Sequence, residues 1–192
     1  MRKSFLPVFL FFFVLGCSSN AEPETGLPSE IEKKMEEKIQ VEIVVPEVAN
    51  YQVKYAAIDY PPFINDQPIE GPLMARIVYT DQKGDLITLT KEQQEHMIKG
   101  RQREVFYGEY TGRPAIILEF STMKNSLADA ETFQLEEITV EYKRWEIESG
   151  TYMIYSFNYE NAAYMATILL YDTFTEAEAE AFLKEWIQGL KA

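Results

Sequence analysis

Few side chains in this sequence are of kinds that do chemistry, and their positions narrow the choices quickly. Cys17 is the sole cysteine, so no internal disulfide can form. His96 is the sole histidine. A histidine-based metal cluster is thereby impossible, and any nucleophile–His pair would have to use His96. It stands among Gln94, Glu95 and Lys99, a polar stretch that reads as solvated surface. Neither a Gly-x-Ser-x-Gly turn nor a phosphate-cradling glycine loop occurs. Asp81 and Asp85 flank a turn but lack the alternating oxygen ligands of a calcium loop. A carboxylate pair for sugar hydrolysis could hide among 31 acidic residues, yet spacing along the chain does not give separation in space. The expectation is a non-enzymatic protein with no metal and no cofactor.

The surroundings of Cys17 are more informative than its thiol. Arg2 and Lys3 precede an apolar run from Phe5 to Leu15, and Ser18, Ser19 and Asn20 follow Cys17. A charged start, a short apolar core and a small residue at its end make a secretory signal. The run is about half of the ~20 residues that a spanning helix needs. Val14-Leu15-Gly16-Cys17 resembles the lipobox of bacterial lipoproteins. The resemblance implies that Val14, Leu15 and Gly16 are recognised by the signal peptidase. It also implies that the Cys17 thiol takes a diacylglyceryl group, palmitate being a typical chain, and that cleavage makes Cys17 the new N-terminus. Two acyl chains at about 0.8 kcal/mol per buried methylene hold a protein at a bilayer durably. Residues 1–16 are thus expected to be removed, leaving the protein lipid-anchored on the extracytoplasmic face of the cell membrane.

The net charge is −13 at pH 7, and loss of Arg2 and Lys3 with the signal makes it more negative. Such a surface repels anionic headgroups and phosphate backbones, so nucleic acid is not an expected ligand. From Ser18 to about Glu30 the chain is polar, with Pro and Gly, and reads as a disordered tether. Ile31, Met35 and Ile39 recur every four residues, the stripe of a short helix. Gln40 to Val45 then reads as an edge strand that Pro46 stops. Residues 17–50 are expected to form lipidated tether, short helix and edge strand, and residues 51–192 a single domain.

That domain divides into short segments. Gln52 to Ile58 has strand composition, and Asp59-Tyr60-Pro61-Pro62-Phe63 forces an extended path, because each proline restricts the residue before it. Leu73 to Thr80 and Asp85 to Leu89 read as strand and returning strand about a turn in which Gly84 supplies positive φ. Thr90 and Gln93 match a capping box opening a helix over Lys91 to Lys99. Strands resume with Arg103 to Tyr110, turn at Thr111-Gly112-Arg113 and return from Ala115 to Phe120, and a polar loop from Ser121 to Thr132 follows. Ile138, Val140 and Tyr142 alternate with polar residues until the apolar parity shifts to Trp145 and Ile147, which predicts a β-bulge near Lys143-Arg144. Thr151 to Tyr159 and Ala163 to Tyr171 are strands, the second apolar on both faces and so central. Thr175 and Glu178 form a second capping box. It opens a helix with Ala179, Phe182, Leu183, Trp186, Ile187 and Leu190 on one stripe.

These segments predict an α+β fold, a twisted antiparallel sheet of successive hairpins covered by a C-terminal amphipathic helix. From Tyr51 to Gly189 the chain resembles the small domains of unknown function in Gram-positive lipoproteins and in anti-sigma-linked membrane proteins. The likeness is carried by the tract Gly112 to Phe120, the strands around Trp145-Glu146 and Tyr152-Met153-Ile154-Tyr155, and the helix with Trp186. It implies a binding role without chemistry. The reading is an interaction module with an envelope-protein partner, its contact surface drawn from Tyr60, Phe63, Trp145, Tyr155 and Trp186. Two alternatives remain open. One is a carrier or sensor of acyl chains or another apolar ligand between the sheet and the last helix, which needs a cavity of about 300 Å³ or more. The other is a hydrolase with facing carboxylates.

Overall fold

The computed structural model describes residues 26–64, 67–68, 70–88, 90–93, 95, 103–171 and 174–191. The lipobox Val14 to Cys17, His96 and the Phe63 side chain lie outside the described residues. So does most of the expected helix beyond Gln93. At its start, Thr90 N donates to Gln93 Oε1 (2.9 Å) and Gln93 N to Thr90 Oγ1 (3.2 Å), closing the expected capping box.

An N-terminal helix, α1 (Ser29–Ile39), precedes β1 (Gln52–Asp59), a two-residue ribbon β2 (Phe63–Ile64) with β3 (Gln67–Pro68), and β4 (Met74–Thr80). Then come β5 (Arg103–Tyr107), β6 (Ile116–Ser121), β7 (Glu131–Leu135), β8 (Ile138–Ile147), β9 (Gly150–Tyr159), β10 (Ala162–Leu170) and α2 (Glu176–Gly189). Apart from the ribbon, the strands form one antiparallel sheet in the order β5-β1-β4-β6-β10-β9-β8-β7. The fold is therefore α+β and mostly sheet. β10, apolar on both faces, has β6 on one side and β9 on the other, the central place its composition predicts.

One face of the sheet carries the core. Ile58, Ile77, Leu118, Phe120, Ala166, Ile168, Phe157 and Val140 pack there with Phe182, Leu183, Trp186 and Ile187 of α2. Trp186 meets Phe120, Phe157 and Tyr164 edge-on, at centroid distances of 5.6, 5.3 and 6.0 Å. Such edge-to-face pairs place ring hydrogens on the negative π-faces of their neighbours and fill the interior densely.

The core also reaches further toward the N-terminus than residue 51. Leu27, Met35, Ile39, Val41, Ile43 and Val48 belong to it, so this stretch is part of the packed body and not a stalk. The strand expected over Gln40 to Val45 does not form. Gln40 takes a left-handed conformation at φ 56°, Ile43 N donates to Glu36 Oε1 (2.9 Å), and Val45 N donates to Glu32 Oε1 (3.2 Å). Carboxylates of α1 thus satisfy amides that a strand would offer to a neighbour. We call residues 41–48 the arch.

Four further expectations are corrected. The returning strand at Asp85 to Leu89 is absent among the described residues, because β1 and β6 already occupy both edges of β4. Residues 84–87 run instead beside 109–111, with Gly84 N to Thr111 O (3.0 Å) and Ile87 N to Glu109 O (2.7 Å). Gly84 is not at positive φ; an added Cβ would collide with the Thr111 hydroxyl, so what Gly84 provides there is close approach. The strands on either side of Thr111-Gly112-Arg113 do not pair with each other: β5 pairs with β1, and β6 with β4 and β10. Finally, β8 has no bulge. Its register with β9 runs unbroken from Val140–Phe157 to Ile147–Gly150. Plain alternation carries Trp145 and Ile147 to the face opposite Tyr142, where they are 49% and 42% exposed. Register shifts occur instead on the far side of the sheet, in β1, between Val53 and Tyr55 against β4 and between Ala56 and Ala57 against β5.

Candidate functional site

β7 straddles the end of the expected polar loop at Thr132 and residues 133–135, to which the sequence reading assigned no element, and it forms one wall of the most distinctive cleft. Phe133 and Leu135 alternate along it toward the α2 side, beside Tyr142 of β8 and Tyr155 of β9. The opposite wall is the flank of α2 that carries Glu176, Ala177, Glu180, Ala181 and Lys184. These positions recur at helical spacing next to the buried stripe. Small alanines keep that wall low, and the open cleft has a volume of about 490 Å³.

α2 holds its place through its cap. Glu178 N donates to Thr175 Oγ1 (3.4 Å), and Thr175 N donates to Glu178 Oε2 (2.5 Å). The Thr175 amide, and after it the Thr175 hydroxyl (2.9 Å), donate to the Glu178 carboxylate and hold it below its ordinary pKa. Ion pairs and hydrogen bonds close both ends of the cleft. Arg144 Nη1 reaches Glu176 Oε2 at 3.1 Å, while Gln188 Nε2 donates to Glu136 Oε1 (2.7 Å) and Lys191 Nζ donates to Glu136 O (2.5 Å).

The floor is aromatic and polar together. The Phe133 and Tyr142 rings meet edge-on at 5.5 Å, and Tyr142 Oη donates to Glu131 Oε2 (2.7 Å). That bond to a carboxylate raises the Tyr142 pKa, because the phenolate would face a negative charge. Tyr155 is 1% exposed, and its hydroxyl is one of two buried side-chain groups without a hydrogen-bond partner among the described residues; Tyr55 is the other. Burial, then the charges of Glu180 and Glu176, push the Tyr155 pKa far up, so it stays a neutral donor and acceptor. An orphan hydroxyl in such a place costs about 1–3 kcal/mol. None of the ion pairs among the described residues uses Glu180 or Lys184.

A second cleft, about 410 Å³, lies at the Glu137 end of β8 and β9, lined by Glu137, Glu141, Ser156, Asn158, Glu160 and Lys191 among others. It contains no orphaned buried group. Across the open face, Arg103, Asp59, Arg76 and Glu119 alternate in sign over four adjacent strands. Arg103 pairs with Asp59, Arg76 Nη1 lies 3.3 Å from Asp59, and Arg76 Nη2 lies 2.7 Å from Glu119. Every charge there has its counter-charge, so the row ties strands together and offers no free group. Among the described residues, no group of three or more His, Cys, Asp or Glu is placed to hold a metal.

The residues expected to form one contact surface are dispersed. Tyr155 alone lines the cleft. Trp145 lies on the other face against Tyr152, ring centroids 6.1 Å apart. Tyr60 packs on the core near the end of β1, donating to Glu104 Oε2 (2.5 Å). Trp186 corrects the expectation most clearly. It is 0% exposed and donates Nε1–H to Val44 O (2.9 Å), so it is core and not contact surface. No family model, curated protein or solved structure matches the chain. The residues that sequence reasoning missed are Phe133, Leu135 and Glu180. The alternation Thr132-Phe133-Gln134-Leu135 was their one legible sign.

Proposed function

We propose that the protein is a lipid-anchored, extracytoplasmic interaction module of the cell envelope, non-enzymatic, that holds part of an envelope-protein partner in the cleft between β7–β9 and α2. In this reading α2 is an amphipathic lid over a run of hairpins, and the domain stands with those of Gram-positive lipoproteins and anti-sigma-linked membrane proteins. The observation that carries it is the form of the cleft: an open trough at the sheet edge, aromatic on its floor and charged on its helical wall. Protein contact surfaces combine aromatic anchors with a polar rim in this way. An acyl-chain carrier is the second reading, favoured by a volume above the ~300 Å³ threshold. Against it stand Glu176, Glu180 and Lys184 on the wall and the filled aromatic interior around Trp186. A hydrolase is disfavoured because the two carboxylates lining the cleft sit a helical turn apart on the same wall, with Glu176 tied to Arg144.

The anchor and the cleft have separate tests. Wild-type cells fed a fatty-acid analogue should label the protein and Cys17→Ala cells should not; label persisting in the variant refutes the anchor. Ala181→Trp fills the cleft from its helical wall. The protein it retains at the membrane should no longer co-purify the specific partner of the wild type, and unchanged recovery of that partner refutes the cleft as the contact site.

A further inference from the structure

β7 is the last strand of the sheet, and the groups on its outer side follow from its hairpin geometry. Glu136 and Glu137 both take positive φ, 49° and 72°, making a two-residue turn of the primed kind between Leu135 and Ile138. In such a hairpin the closing pair exchanges both hydrogen bonds and the pattern then alternates. Leu135, Phe133 and Glu131 therefore bond to β8, while Thr132 and Gln134 turn their N–H and C=O outward. No backbone bond to those outward groups occurs among the described residues. The same alternation puts the Phe133 and Leu135 side chains on the cleft side. A strand added at this edge would place every second side chain beside Phe133 and Leu135, pointing into the trough.

The chemistry of the trough selects what those side chains are. Its floor offers apolar contact from Phe133 and Leu135, and its helical wall offers Glu180, which has no ion pair among the described residues. Beneath them the Tyr155 hydroxyl lacks a partner. Arg144, the nearest cation at one end, is engaged by Glu146 and Glu176; Lys184 stands one turn beyond Glu180. The chain as a whole carries −13, which repels a second copy of itself and attracts cations. Resting on the interaction-module reading, we propose that the partner contributes an extended segment in which every second residue, the set that faces the trough, is basic or apolar by turns. This segment adds to β7 as a ninth strand of the sheet, seating a Lys or Arg against Glu180. Main-chain bonds to Thr132 and Gln134 give affinity, and the cleft gives side-chain selectivity.

The probe is a blocked, dye-labelled peptide Thr-Lys-Thr-Leu-Thr-Lys-Thr, offered to the mature chain and followed by fluorescence anisotropy. Its Lys→Glu counterpart should bind at least about tenfold more weakly. Glu180→Gln should weaken the lysine peptide about three- to tenfold, with a shallower dependence on salt. Thr132→Pro removes an outward N–H from the edge and should abolish binding. Should that variant fail to fold, the same peptide N-methylated along one backbone edge gives the equivalent readout on wild-type protein. Binding indifferent to both proline and N-methylation, or equal for lysine and glutamate peptides, overturns strand addition. So does the absence of binding to any peptide of the set. A photo-cross-linker at Ala181 keeps the two levels apart. If it still captures the specific partner in cells while the peptides fail, strand addition is wrong and the cleft reading stands; if it captures none, the cleft reading falls as well.

Discussion

Tyr155 is the residue whose removal separates packing from function. Tyr155→Phe deletes a hydroxyl that has no partner and keeps the ring. The free protein should gain about 1 kcal/mol, read as a rise of roughly 2–4 °C in Tm; a fall would mean that the hydroxyl is satisfied in solution. The two tryptophans offer a second check, since Trp145 is half exposed and Trp186 fully buried. In Trp145→Phe the remaining emission should be blue-shifted and resist acrylamide quenching, whereas Trp186→Phe should leave red-shifted, quenchable emission. From sequence, Trp186 was legible as part of the helix stripe and Trp145 as part of a strand. Their exposures were not, because alternation names two faces without saying which one is covered. The same limit concealed Glu180: on a helical wheel it is an ordinary outward acid, and only the edge position of β7 gives it a trough to face.

Among elements, those with strong local signals were readable. The α2 capping box stands where the spacing put it, with Ala179, Phe182, Leu183, Trp186 and Ile187 buried, as do α1 with Met35 and Ile39 buried and the alternating half of β8. Thr175→Ala should lower Tm by roughly 2–4 °C, and by more above pH 4.5, the ordinary value for Glu178, than below it, because the variant loses the hydroxyl's bond to the Glu178 carboxylate while keeping the amide's. The folded pKa of Glu178 is depressed, so its contribution is present above that pH and fades as pH falls through the folded value. The wild type should therefore lose Tm more steeply than the variant between pH 5 and 3; parallel profiles would remove the linkage. The turn at Glu136-Glu137 was unreadable, since glutamate is a poor choice for positive φ and Asn-Gly is the usual signal. Glu137→Gly relieves φ 72° and should stabilise the protein by about 1 kcal/mol, seen as a higher urea midpoint at unchanged m. Glu136 is the less suitable partner for that test, because Gln188 and Lys191 bond to it.

For the whole molecule, the fold class followed from the run of strands and the closing helix, but the strand order did not. β4 accepts β6 where the sequence suggested its immediate successor, because local turns announce neighbours only when the connection is short. In the first half of the chain the segments between successive strands are long, and there pairing is settled by burial across the sheet. The N-terminal boundary was also misplaced, since the arch draws its hydrogen bonds from α1 carboxylates and shows no strand or helix period. A chain beginning at Tyr51 omits Met35, Ile39, Val41, Ile43 and Val48 from the core. It should bind a hydrophobic dye and lack a cooperative thermal transition, whereas one beginning at Gly26 should melt cooperatively. Comparable melting of the two would return the domain start to residue 51.

The bond from Trp186 to Val44 joins residues 142 positions apart, and it lies in the centre of the aromatic interior. Protein synthesis runs from one end to the other, so the arch is made early and must wait for almost the last turn of the final helix before its apolar side is sealed. Until then the growing polypeptide has no finished interior to collapse upon. The last side of that interior closes only when α2 has been made and has packed against the arch and the sheet.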